Sequence, residues 1–303
     1  MTRLLTCLLL LLVGGSVRAE SLWLDQADGV RLYYYLDLPT APPSVPLVVI
    51  LQGSECLKVE HKYAPMIEQL NRRGVGVLRI EKPGLTPTTP IGDCPPEYLL
   101  KNTLDRRLWD VLRVVAELRG HPRWNGRLAL VGGSEGGMLA GLLAPLIPEA
   151  RAVVMLSSGG GMSFGEELQR MVAAHIASQG AAPEKVAEEL RKLEEVLQRA
   201  RREPSTTREW GSDGQLARNT HLWLSRALDL SIWRALLAFQ GPILVVHGTA
   251  DASTPVESAR ELARRFLEAG RSNLELRLDP GGQHGPRPEV IQESLEWVVE
   301  RLR

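Results

Sequence analysis

Short runs of branched apolar residues alternate with stretches whose apolar positions recur every three or four residues, and this rhythm organises most of the chain. "GVRLYYYLDLP" (Gly29 to Pro39) and "VPLVVILQG" (Val45 to Gly53) read as strands, separated by Pro- and Ser-rich punctuation. "HKYAPMIEQLNRRG" suits a helix ended by Gly74, and "VGVLRI" (Val75 to Ile80) is a short buried strand. After the loop "EKPGLTPTTPIGDCPPEY" comes "LDRRLWDVLRVVAELRG", with Leu104, Leu108, Val111, Leu112, Val115 and Leu118 at helical spacing and Gly120 closing it. "RLALV" continues as a strand, "GMLAGLLAPL" as a helix and "RAVVMLSS" (Arg151 to Ser158) as another strand. Apolar strands alternating with amphipathic helices imply right-handed crossovers and a mainly parallel sheet covered on both faces.

The rhythm breaks between Gly159 and about Gln240, where no convincing strand occurs. "PEKVAEELRKLEEVLQRARRE" is a charged helix with a stripe at Val186, Leu190, Leu193 and Val196, and Glu188 stands four residues before Lys192. "LARNTHLWLSRALDLSIWRALLAF" adds Trp223, Trp233 and several leucines. Strands and helices resume with "PILVVHG", "PVESARELARRFLEAG", "LELRLDP" and "RPEVIQESLEWVVERLR". The expected organisation is an α/β core of residues 20–158 and 241–303, with a helical cap inserted at 159–240 over the carboxyl edge of the sheet. No internal repeat is visible.

The first 19 residues change the picture of where the chain works. "MTRLLTCLLLLLVGGSVRA" has an early Arg3, an apolar run from Leu4 to Val13 and a small-residue end at Val17-Arg18-Ala19. That run is shorter than the roughly 20 residues a membrane span needs, so it reads as a cleavable signal peptide of an exported, periplasmic or secreted protein. Cys7 lies inside the apolar run, not after it, so it is not a lipoprotein cysteine. The full chain balances 36 basic against 36 acidic residues; losing Arg3 and Arg18 leaves 34 against 36, a net charge of −2. Neither a nucleic-acid footprint nor a membrane-surface one is expected, because both want a basic excess. Cleavage leaves Cys56 and Cys94, an even pair that is either a disulfide or two buried thiols; the exported context favours the bridge.

The chemistry gathers around "RLALVGGSEGG". A serine at a strand-to-helix turn reaches out of the sheet only on a tight bend, and side chains two residues to either side would collide with neighbouring elements. Gly132 and Gly136 stand at those positions around Ser134. The helix that follows directs its first amides at the same spot, favouring a developing anion, so the N–H of Glu135 is a candidate donor to it. Serine needs a base, and the base an orienting acid. "ILVVHGTADASTP" sets Asp251 after one strand, and "LELRLDPGGQHGP" sets His284 after the next.

With "GGSEGG", "HGTADASTP" and "GGQHG" in this order, the sequence from about Leu32 to Arg303 resembles the α/β-hydrolase superfamily, close to its dienelactone-hydrolase-like and prolyl-oligopeptidase-like serine hydrolases. The resemblance implies that Ser134 is the nucleophile, His284 the general base and then acid, and Asp251 its orienter, with no metal or cofactor. It also implies a second oxyanion donor in "VVILQGSECLK", where many relatives carry His-Gly and this chain carries Gln52-Gly53. A backbone N–H does not require the histidine, and Ser54 is the expected donor with Gly53 next. "EKPG" (Glu81 to Gly84) and the cysteines beside it resemble exported bacterial members, in which a bridge would tie the oxyanion loop to the loop after Ile80.

The expected activity is cleavage of an ester or amide in a small-molecule ester or short peptide, through an acyl-enzyme. A serine peptidase of prolyl-oligopeptidase type is the alternative, although the chain has no room for the large propeller such relatives usually carry. A thioesterase or a non-catalytic scaffold is less favoured. Asp279 is a second candidate acid; His247 is expected to satisfy a buried hydrogen bond beneath the triad, not to bind metal. Glu135 reads as a favourable charge at a helix start. Trp210, Trp223 and Trp233 either line a pocket or pack the insertion.

Overall fold

A computed structural model describes residues 20–210, 219–230 and 232–303. The expected signal peptide lies outside them. An eight-stranded sheet forms the frame, in the order β1 (Glu20–Asp25), β2 (Arg31–Asp37), β4 (Gly76–Ile80), β3 (Val45–Leu51), β5 (Trp124–Gly133), β6 (Ala150–Leu156), β9 (Ile243–Gly248), β10 (Leu274–Asp279). β1 with β2 and β2 with β4 are antiparallel; every pair from β4 to β10 is parallel.

Alternation along the central strands explains why both faces of the sheet are covered. Leu47, Val49 and Leu51 of β3, Leu128 and Leu130 of β5, and Ile243 and Val245 of β9 point into one apolar layer. Val48, Ile50, Ala129, Val131, Leu244 and Val246 point into the other. A strand buried on both sides reads as one continuous apolar run. The first layer is closed by α3 (Leu104–Leu118), α4 (Glu135–Leu143), α8 (Ile232–Ala238) and α9 (Val256–Glu268); α1 (Ala64–Arg72) and α10 (Pro288–Leu302) close the second. α4 sits between the sheet and other helices, and eight of its nine residues are buried, so it is apolar all round instead of along a stripe.

Several elements escaped the sequence pattern, among them a short two-strand ribbon in the segment from Gly159 to about Gln240, where no strand is expected and where only two residues on each side pair. β1, "ESLWLD", is an edge strand with only Leu22 and Leu24 packed on the core, and α2 (Pro96–Lys101) is a six-residue helix inside the proline-rich loop. Between β6 and β9 lie α5 (Phe164–Ser178), α6 (Pro183–Arg202), a two-strand ribbon of β7 (Glu209–Trp210) and β8 (Asn219–Thr220), α7 (His221–Ala227) and α8. α5 opens with a capping box, the Ser163 side chain accepting from Glu166 N–H while the Glu166 carboxylate accepts from Ser163 N–H. On α6 the buried stripe runs through Leu193, Leu197 and Ala200, so Leu197 takes the inward place expected for Val196. Lys192 pairs with Glu188 at 2.8 Å, as their spacing predicts.

A disulfide joins Cys56 to Cys94, with Cα atoms 5.8 Å apart and a sequence separation of 38. It links the loop after β3 to the loop before α2. Closing a loop of that length restricts the unfolded chain by about 4 kcal/mol in the chain-entropy account. The double variant Cys56→Ser/Cys94→Ser should therefore unfold at clearly lower urea, and reduced wild type should match it. Equal midpoints for the oxidised, reduced and variant proteins would remove the bridge as a stabilising element.

Candidate active site

Ser134 follows directly on β5 and precedes α4, and its backbone lies in the left-handed region at φ 53°, ψ −124°. An L-residue takes such a conformation at a cost of about 1–3 kcal/mol, held by its surroundings. The surroundings here are backbone. A Cβ on Gly132 would stand 2.0 Å from the Gly136 carbonyl oxygen, and one on Gly136 would stand 2.0 Å from the Leu51 carbonyl oxygen. Glycine at both places lets β3, β5 and α4 close on one another, as the sequence spacing predicts. Ser134 N–H donates to the Leu156 carbonyl at 2.9 Å, fixing the turn to β6 as well.

Asp251 and His284 stand beyond the carboxyl ends of neighbouring β9 and β10, and the His284 Nδ1 lies 3.0 and 3.1 Å from the two Asp251 carboxylate oxygens. The carboxylate is fully buried and also accepts from the N–H groups of Ser253 at 2.8 Å and Thr254 at 2.9 Å. Burial pushes its pKa up, but His284 and these two amides outweigh it and hold the group below the ordinary carboxylate range. An ionised, immobile carboxylate at Nδ1 leaves Nε2 as the nitrogen that can take a proton. Asp279, the other candidate acid, is engaged elsewhere by the Arg287 guanidinium. His247 is wholly buried below Asp251, with Nδ1 3.0 Å from the Gly248 carbonyl and Nε2 3.9 Å from the Asp251 carboxylate.

Ser134 and His284 line one cavity of about 430 Å³, together with Gly53, Ser54 and Glu135. The N–H groups of Gly53 and Ser54 have no acceptor among the described residues, and Glu135 is the first residue of α4, where helix geometry leaves the N–H without an internal partner. The outer wall is apolar: Phe164, Leu168 and Met171 from α5, Trp223 from α7 and Met138 from α4. Trp223 meets Phe164 edge to face at 5.4 Å, so of the tryptophans it is the one that both packs the helices and lines the cavity. Trp233 instead lies under the Arg234 and Arg265 guanidinium groups, and the side chain of Trp210 lies outside the described residues.

Beneath this cavity is a buried ionic cluster that sequence reading missed. Glu135 carries more than a helix-start charge: its carboxylate pairs with the buried Arg107 of α3. Burial raises the Glu135 pKa, yet Arg107 and Lys82 outweigh it and leave the carboxyl below its ordinary value. Lys82, fully buried, is pushed down to about 7 by burial and the nearby Arg107 against the pull of Glu135 and Glu55. The signal for Arg107 was present in the chain. It stands three residues after Leu104 and four before Val111, so a charge occupies the apolar stripe of α3. No cluster of three metal-ligating side chains occurs among the described residues, and none of their helices is long and apolar enough to cross a membrane.

Residues 47–289 match the family described as serine aminopeptidase, S33. The chain belongs to this family of α/β hydrolases. Solved structures repeat the fold: Est1E from Butyrivibrio proteoclasticus, with ferulic acid bound, is 20% identical at a TM-score of 0.64, covering 92% of this chain and 98% of its own. An esterase of Pyrococcus furiosus is 17% identical at a TM-score of 0.63, over 95% and 92% of the two chains. Acetyl xylan esterase 1 of a Thermoanaerobacterium species is 15% identical at 0.61, over 94% and 84%. No curated protein is a significant match to the sequence.

The cavity also contains a carboxyl group without a cationic partner among the described residues. Glu167 of α5 is buried, and its Oε1 accepts from the Ser258 hydroxyl of α9 and from Gly160 N–H at 3.1 Å. Burial pushes its pKa up from 4.5 to about 7. A raised carboxyl pKa favours the folded state below the unfolded value and forfeits that advantage as pH climbs through the folded one. Wild type should thus lose stability between pH 4.5 and about 7 relative to Glu167→Gln, which keeps the accepting oxygen without the charge. The difference should be on the order of 2–3 kcal/mol in urea unfolding by about pH 8. Parallel stability curves for the two proteins would contradict this account of Glu167.

Proposed function

We propose that the chain is an exported serine hydrolase that cleaves an ester bond through an acyl-enzyme on Ser134. The observation that carries this reading is the Asp251–His284 pair, 3.0 Å apart, with His284 on the same cavity as a serine held in a left-handed turn. His284 Nε2 takes the proton from the Ser134 hydroxyl as the oxygen attacks the substrate carbonyl. The negative charge that develops on that carbonyl oxygen is met by the N–H groups of Glu135 and Ser54, with Gly53 adjacent. Collapse of the tetrahedral adduct expels the alcohol, which receives the proton from His284. Water, deprotonated in turn by His284, then releases the acid and restores Ser134.

Residues 159–240 act in this reading as the cap that sets substrate shape. Its α5 and α7 supply the apolar wall, while α8 returns to the core with Ile232 and Leu236 against Gly141 of α4. Export rests on the amino-terminal apolar segment and agrees with the Cys56–Cys94 bridge, since disulfides persist in oxidising compartments. A peptidase acting on short peptides is a second reading, favoured by the family match itself.

Ser134→Ala should lower turnover of p-nitrophenyl esters by about 10⁴-fold or more while leaving the fold intact. A panel adding aminoacyl p-nitroanilides separates the readings: faster ester turnover supports the esterase, and faster anilide turnover the peptidase. Undiminished hydrolysis by Ser134→Ala would overturn both.

A further inference from the structure

The oxyanion side of the cavity is assembled from two unconnected pieces of chain, the loop after β3 and the first turn of α4. One guanidinium touches both. Arg107 donates through Nη1 to the Glu135 carboxylate and through Nη2 to the Gln52 carbonyl oxygen, the latter at 2.7 Å. It is only 6% exposed, and neither bond is shared with solvent-facing groups. We propose that Arg107 is a positioning residue that clamps the two halves of the oxyanion hole to each other. The inference rests on the serine-hydrolase reading and adds to it a residue outside the nucleophile, base, acid and donors.

Peptide geometry gives the clamp its effect. A trans peptide is planar, with its C=O and N–H pointing in opposite directions. Fixing the Gln52 oxygen on Arg107 therefore fixes the direction of the Gly53 N–H. Two peptides later the Ser54 oxygen accepts from the Tyr98 hydroxyl at 3.3 Å, and the Glu55 oxygen accepts from Lys82 Nζ at 2.7 Å. The intervening Gly53–Ser54 peptide, which carries the Ser54 N–H, is thus bracketed by two pinned neighbours. The bracket matters because glycine at 53 would otherwise let that peptide rotate with little steric cost. On the other half, the Glu135 side chain hangs from the same residue whose N–H is the α4 donor. Arg107 is the largest attraction on that carboxylate, ahead of Lys82, and the Ser54 side chain adds a weaker hydrogen-bonding contribution from the other half.

Two acceptors on different elements call for a rigid fork of donors, which a guanidinium has and an ammonium lacks. Arg107→Lys should keep the charge beside Glu135 but lose one of the two bonds. Removing the arginine outright would strand a buried carboxylate and endanger folding, so Arg107→Gln/Glu135→Gln is the second variant, neutral throughout with the Glu135 backbone retained. Both should lower kcat on a p-nitrophenyl ester by about 10- to 100-fold, with KM changed by less than about 3-fold, because only the transition state carries the oxyanion. Inhibition by phenylboronic acid, whose serine adduct is tetrahedral, should weaken in proportion to kcat/KM, a change that loss of stability alone would not produce. If both variants, at a temperature where each is folded, keep kcat and boronate affinity within about 3-fold of wild type, the clamp is overturned. Ser134→Ala assayed alongside separates the failures. Activity retained there removes the serine reading and the clamp with it; activity that needs Ser134 but not Arg107 removes the clamp alone.

Discussion

Everything at the site depends on how closely three pieces of backbone approach one another at Ser134. The α4 backbone at Gly136 lies so near the Leu51 carbonyl that no side chain fits between them, and the same holds for Gly132 against Gly136. That contact places the loop after β3 beside the start of α4, and it keeps Ser134 in a turn that an L-residue does not otherwise favour. The sheet supplies the remaining register. Because β3, β5, β9 and β10 belong to one parallel array, their carboxyl ends open on the same side, and so do the loops that carry Ser54, Ser134, Asp251 and His284.

Packing on both faces of the sheet explains why polar chemistry is confined to this edge. Elsewhere the central strands are packed mainly by apolar side chains, and a charged group there would lose hydration without a partner. Three buried ionic groups cluster beneath the loop after β3: Arg79 with Asp37, Arg107 with Glu135, and Lys82 under the Glu55 carbonyl. These groups are satisfied largely by loop carbonyls and amides, Glu81 for instance accepting from Val59 N–H at 2.9 Å. A loop from Gln52 to Glu60 that has no secondary structure to pair its backbone is held instead by buried charges from β4, α3 and the segment just after β4. The disulfide at Cys56 adds a covalent tie to the same loop.

Much of this was legible in the sequence because it rests on local rules. Period-two and continuous apolar runs mark the central strands, and the glycines flanking Ser134 mark the tight turn. Asp251 and His284 are found by their places after successive strands. The parts that stayed hidden depend on tertiary contact. β1 is an edge strand with a weak pattern, and Trp23 within it is exposed. Arg107 stands on the apolar stripe of α3 between Leu104 and Val111, but its partners Glu135 and Gln52 lie far off in sequence and only the fold brings them to it. Glu135 satisfies the rule for charge at a helix start, which concealed its salt bridge across 28 residues of sequence. Packing of the helices between β6 and β9 was the least readable, since the choice between Val196 and Leu197 as the inward residue turns on a single step of helical phase.

The central claim is that Ser134 is a nucleophile activated from the Asp251–His284 pair. Its most direct test is covalent: the folded protein is treated with a fluorophosphonate, digested and mapped by mass spectrometry. The account predicts one phosphonate on the peptide containing Ser134, absent from Ser134→Ala and strongly reduced in His284→Ala. A folded protein that takes no label, or that carries it on another residue, would contradict it.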